Sequence, residues 1–186
     1  MKKAFHSIRL KGENVTGAGG VVEAKVETPE TPVVTGEPVT FSHPWVNLIL
    51  PAGWYIDKIP GNFEKEIIGW FKTPKYSGGS IMLMGHRGRY NHRKIRIGGL
   101  RTIAAAYPQG QEQLKDMDRH RTEAGNFDAR YELWKGWVSG TVMQSPMVIF
   151  KTRHCWVLMI GYVADKDGAE FEKDFKAIYH TLESTQ

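Results

Sequence analysis

Phe171, Phe175, Ile178 and Leu182 fall at i, i+4, i+7 and i+11, which is one apolar stripe of an α-helix. Immediately before them stands Trp156-Val-Leu-Met-Ile-Gly-Tyr-Val163, eight residues with no charge at all. A strand that is apolar on both faces belongs in the middle of a sheet, covered above and below. The pair therefore predicts a central strand followed by a helix that packs back on its own sheet. Asp167 is placed to cap that helix, and Glu170 three residues on completes a capping box, which puts the helix at about 168–183.

The rest of the chain supplies the other strands. Trp45–Leu50 ends at Pro51-Ala-Gly53, Trp54–Ile56 ends at Pro60-Gly61, and Ile67–Phe71 and Ser80–Met84 flank a turn-rich Thr73–Gly79 as a hairpin. Phe127, Ala129, Tyr131 and Leu133 alternate with polar residues as a half-buried strand does, and Val142–Lys151 is a further strand. Gly98–Ala106 and Gln109–Met117 read as helical. Two groups of strands around a helical middle, closed by a helix, predict an α+β fold: an antiparallel β-sheet with helices packed against it, as a sandwich. Residues 41–186 make this single domain. Residues 1–40 read as an extended arm or linker, because Gly17–Gly20, Pro29, Pro32 and Pro38 lie among too few large apolar groups to build a core.

Two stretches carry a family resemblance. One is an early strand ending Leu50-Pro51-Ala52-Gly53-Trp54. The other is the late strand Trp156–Val163 with its acidic turn and the helix that runs from Ala169 to Leu182. In order of elements, residues 40–185 resemble the PsbP/DcrB-like fold, shared by PsbP extrinsic subunits of photosystem II, bacterial DcrB-like periplasmic proteins and a Ran-binding protein of yeast. That resemblance implies a non-enzymatic accessory or binding protein, and it carries no catalytic residues onto this chain.

The residues agree with that expectation. There is no Gly-x-Gly-x-x-Gly, P-loop, His-Glu-x-x-His or Gly-x-Ser-x-Gly. One cysteine excludes an internal disulfide and any multi-cysteine zinc or iron–sulfur site. Cys155 leads into the apolar strand and reads as a small buried residue. Its neighbour His154 points to the opposite face, so the two make no dyad. Asp165-Lys-Asp167-Gly168 lacks the later calcium-loop positions, where Glu170 and Lys176 stand instead. His86 and His92, with His120 as a third candidate, are surrounded by cations and have no carboxylate nearby in sequence, so no metal is expected. No cofactor is expected either.

Charge is the most specific functional signal. From Ile67 to Gln111 there is no Asp or Glu, while Lys72, Lys75, Arg87, Arg89, Arg93, Lys94, Arg96 and Arg101 all fall there. Removing those eight from the 25 basic residues leaves 17 against 20 acidic, so the net charge of +5 is local. Gly85–Ile97 reads as a basic loop. Three readings stay open for it: a solvated turn and edge strand blunted by charge, a contact for an acidic protein partner or multiprotein assembly, or a nucleic-acid surface. The excess of arginine over lysine favours a protein partner. Nucleic acid is less favoured, since only Tyr90 and Tyr107 are at hand to stack on bases. Candidate partner-binding residues are Arg87, Arg89, Tyr90, Arg93, Lys94 and Arg96, together with Trp134 and Trp137. The two tryptophans sit three apart on a strand and so face opposite ways. Trp45, Trp54, Trp70 and Trp156 are expected in the core. No apolar run reaches a bilayer's width, so no transmembrane span is expected. Met1-Lys2-Lys3 is not followed by a signal peptide's apolar run, which predicts a cytoplasmic chain as the sequence stands. A periplasmic one would follow if the true N-terminus has been replaced.

Overall fold

The computed structural model describes residues 34, 36–59, 67–106, 115–138 and 140–185. The strands are β1 (Val39–His43), β2 (Val46–Leu50), β3 (Tyr55–Ile56), β4 (Ile67–Lys72), β5 (Ser80–His86), β6 (Lys115–Ala124), β7 (Phe127–Val138), β8 (Thr141–Lys151) and β9 (Trp156–Ala164). The helices are α1 (His92–Ala106), between β5 and β6, and α2 (Gly168–His180), after a single 3-10 turn. Seven strands form one antiparallel sheet in the order β3-β4-β5-β9-β8-β7-β6. The β1–β2 hairpin is a separate two-stranded unit turning at Pro44-Trp45.

β9 is central, and both its faces are covered, which is why it tolerates no charge. Val157, Met159 and Val163 join one core with Phe171, Phe175 and Ile178 of α2 and with Val46, Leu48 and Leu50 of β2. Leu158 and Ile160 face the other way and join Ile95 and Ile103 of α1. The sheet thus has one face under α2 and the hairpin, and one face under α1. α1 lies tight because of Gly99, where a Cβ would meet Met147 Sδ at 2.7 Å and Leu158 Cδ2 at 3.0 Å. The Leu-Pro-x-Gly-Trp stretch is a turn closed by Trp54 N–H donating to Pro51 O at 3.2 Å. It delivers Trp54, fully buried, against Phe171 of α2.

The α2 stripe is as expected: Phe171, Phe175, Ile178 and Leu182 are fully buried, Leu182 just past the helix end. Its start differs. Asp167 makes no capping bond and instead accepts the Ser77 N–H at 2.9 Å, while Glu170 pairs with Lys173. Ser77 lies in the β4–β5 turn, so a long-range tie has replaced the local cap.

Four other expectations are corrected. α1 begins at His92, not at Gly98, so half of the basic "loop" is helix. Met117 lies on strand β6, where pairing with β7 overrides a weak helical pattern; Gln109–Leu114, like Pro60-Gly61, Tyr107 and most of the arm, fall outside the described residues. β1 starts at Val39, two residues inside the stretch read as arm. Of the four tryptophans expected in the core, Trp54 is enclosed, while Trp45, Trp70 and Trp156 are half-buried at its margins.

Candidate anion-binding face

α1 starts where it does because Asn91 caps it. Its Oδ1 accepts the Lys94 N–H at 2.9 Å and its carbonyl accepts that of Ile95 at 3.2 Å. Arginine and lysine are good helix formers, so the charge run propagates the helix rather than breaking it. The loop ahead of it is tied down: Tyr90 N–H donates to Gly88 O at 2.9 Å, and Trp156 Nε1 of β9 donates to Tyr90 O at 3.1 Å.

A second loop meets it, the turn between β8 and β9. Thr152 Oγ1 accepts the N–H groups of His154 at 3.2 Å and Cys155 at 3.1 Å, and Thr152 N–H donates to Cys155 O at 2.9 Å. That knot buries Thr152 and Cys155 and leaves Arg153 and His154 exposed. Burial pushes the Cys155 thiol up, against smaller opposing effects of Thr152 and Arg87. Cys155 is thus the buried residue expected from the sequence, and its burial favours the neutral thiol over the thiolate.

Between the two loops lies a cleft of about 460 Å³, lined by Arg89, Tyr90, Lys151, Arg153, His154 and Trp156. Arg93 and Lys94 are exposed on the adjoining first turn of α1. Among the described residues, none of Arg89, Arg93, Lys94, Lys151 and Arg153 has a carboxylate within ion-pair distance. Five exposed cations on internally hydrogen-bonded elements form one positive field.

The structure does not gather every candidate here. Arg87 is not among the cleft's lining residues, and its guanidinium lies 4.5 Å from the centre of the Trp45 ring. Arg96 is not a free cation: its Nε lies 2.5 Å from Glu132 Oε1, and it stacks over Trp134 at 5.6 Å. Trp134 is buried and donates Nε1 to Glu132 Oε2 at 3.0 Å. Arg96 and Trp134 therefore tie α1 to the sheet through Glu132. Trp137 is the exposed one of the pair, at 42%. It pairs with Val142 at the far end of β8 from Lys151, about 30 Å away at the usual strand rise, and it belongs to a different surface.

Lys151, Arg153 and His154 were missed in the sequence because they lie some sixty residues from the basic run. The signal that could have found them is their position in the turn that opens β9, since β9 pairs with β5, which ends at the basic loop. His92 is half-buried against Trp156, with rings 6.2 Å apart, and its Nε2 is enclosed without a partner. No three His, Cys, Asp or Glu side chains come together to hold a metal among the described residues.

No protein-family model matches the chain, and no curated protein matches it. Solved structures do. The solution structure of cyanobacterial PsbP (CyanoP) from Synechocystis sp. PCC 6803 superposes with a TM-score of 0.62 at 9% identity, over 81% of this chain and 94% of that one. The fold resembles that of PsbP. LpqN, involved in cell envelope biogenesis of Mycobacterium tuberculosis, gives a TM-score of 0.55 at 13% identity, over 80% of this chain and 90% of LpqN. A protein from Bacteroides thetaiotaomicron VPI-5482 gives 0.55 at 16% identity over 81% of this chain, which spans only 49% of that one. At such identities the PsbP-like likeness concerns the fold alone. No helix among the described residues is long and apolar enough to cross a membrane.

Proposed function

We propose that this PsbP-like chain is a non-catalytic accessory or binding protein that docks on an acidic partner protein through the cationic face around the start of α1. The observation that carries the proposal is the set of exposed cations, Arg89, Arg93, Lys94, Lys151 and Arg153, without carboxylate partners among the described residues. Exposed charges contribute little to stability, so a fold gains nothing by concentrating them. A partner of opposite charge gains in encounter rate and in specificity. The PsbP-like fold supports the accessory role, since its resemblance implies binding rather than turnover. The N-terminal arm supplies a second contact.

Affinity capture with the full chain and with an Arg93→Glu/Lys94→Glu variant tests this. The acidic protein retained by the parent chain is lost by the variant, and the retained binding weakens with salt. Equal capture by both chains would overturn the proposal. So would loss of binding to random duplex DNA alone, with a steep salt dependence, which would assign the face to nucleic acid.

A further inference from the structure

We infer that the cleft between the β5–α1 loop and the β8–β9 turn is a binding site for a phosphate monoester. The inference rests on the anion-binding character of this face and names a ligand class for one part of it. Arg89, Lys151 and Arg153 bring three permanent positive charges to one hollow, and His154 adds a fourth nitrogen donor. A single carboxylate would leave most of that charge unmatched. A phosphate monoester carries nearly two negative charges and three acceptor oxygens on one centre, and guanidinium forks fit it bidentately.

The volume of about 460 Å³ exceeds what a bare phosphate fills and suits a small organic ester. Tyr90 and Trp156 supply walls for the organic part. Tyr90 is 46% exposed, and the Trp156 ring is fixed by its bond to Tyr90 O, with Lys151 Nζ 6.0 Å from its centre. Both cationic loops are closed by their own hydrogen bonds, so little ordering is left for the ligand to impose.

The full chain is titrated with phenyl phosphate at constant ionic strength and followed by calorimetry. Benzoate serves as the carboxylate of matching shape. A second arm uses phosphatidylcholine vesicles with and without phosphatidic acid. Saturable binding of phenyl phosphate, about tenfold tighter than benzoate, supports the site, and so does about a tenfold loss in Lys151→Gln and in Arg153→Gln at unchanged thermal midpoint. Lys166→Gln, an exposed cation by the opposite end of β8, leaves the affinity unchanged. Cleft-dependent binding of phenyl phosphate assigns a soluble ester; cleft-dependent binding only to phosphatidic acid vesicles assigns a lipid headgroup. Benzoate binding as tightly, or cleft variants binding like the parent, would overturn the inference. Cleft variants that keep parental phosphate affinity while partner capture still fails in Arg93→Glu/Lys94→Glu sink this site alone. Intact phosphate binding with no partner captured sinks the docking role alone.

Discussion

Glu132 is a carboxylate with 1% of its side chain exposed, and three donors converge on it: Arg96 at 2.5 Å, Arg119 at 3.4 Å and Trp134 Nε1 at 3.0 Å. Removing one partner of a buried ion pair costs more than the pair itself contributes, because a charge is left behind. Glu132→Ala should therefore lower unfolding stability by about 3 kcal/mol, the low end for such pairs because both arginines reach water. Glu132→Gln, which keeps an acceptor, should lose less. Denaturant titration measures both, and a loss for alanine below about 1 kcal/mol would place Glu132 among ordinary surface groups. Nothing in the sequence marked this residue. Alternation puts Glu132 on the strand face opposite Tyr131, which read as the wet face. That face is covered by α1, and the arginine that answers the carboxylate stands 36 residues away. His92 lies beside the same cluster. Burial, followed by Arg130, holds its pKa below the ordinary 6.5, Arg96 and Arg119 acting the same way against Glu132. The unfolded chain therefore takes up the proton first. His92's contribution is fully present above pH 6.5 and is lost as pH falls from there to the folded pKa. His43 acts in the same direction through burial and Arg87. Asp57 and Asp165, held low by hydrogen bonds from Lys72 and Lys135, contribute only at lower pH. Calorimetric midpoints should fall on acidification below pH 6.5, and less steeply in His92→Gln. An identical slope in that variant would show that His92 is not responsible.

At the scale of elements, α2 carries the most weight for the least sequence. Phe175 is fully buried, with Phe171 at 6.3 Å and Tyr179 at 5.8 Å between ring centres. Phe175→Ala should cost about 3–5 kcal/mol in a denaturant titration, the range for aromatic truncation in a packed core. A loss near zero would mean that the stripe faces water. α2 was legible because one apolar face repeated over the twelve residues from Phe171 to Leu182 has no competing pattern. α1 was legible only in its second half. Its first turn is charged on the exposed side and shows one core residue, Ile95, so the periodicity begins before an apolar count can detect it. β6 was not legible at all. It is an edge strand, exposed along nearly its whole length, and it is a strand because β7 offers it a hydrogen-bonded edge. For the same reason the cationic face was half visible: the run from Arg87 to Arg96 is contiguous in sequence, whereas Lys151 and Arg153 join it only through sheet pairing.

For the whole molecule, the order of strands decides which surfaces are related. The cationic cleft and Trp137 lie at opposite ends of β8, so a partner that fills one does not reach the other unless it is large. The N-terminal arm enters at this scale too. Since β1 begins at Val39 and Val39 packs on the core, a truncation that tests the arm must stop short of it. Removing residues 1–33 should leave the thermal midpoint nearly unchanged and weaken association with the partner, because the arm's composition supports no core of its own. A fall of several degrees would instead make the arm part of the domain.

The β1–β2 hairpin and the end of α2 are tied backbone to backbone. Asn47 and Glu183 exchange two hydrogen bonds of 3.0 Å, and Thr181 Oγ1 accepts the Ile49 N–H at 2.8 Å across 132 residues of chain. The Leu182 carbonyl sits where a Cβ on Gly125, at φ +57°, would stand 1.7 Å away, so the β6–β7 turn closes under the same segment. On the ribosome none of this exists until residue 183 has emerged. At roughly 5–20 residues per second, β2 waits on the order of ten seconds for its partner. Once β9 is made, Leu83, Tyr131, Val148, Phe150 and Met159 lie on a sheet face that α2 has yet to cover. The apolar face of the sheet is thus the last surface to be covered, and a chain stopped before α2 would leave it open to aggregation.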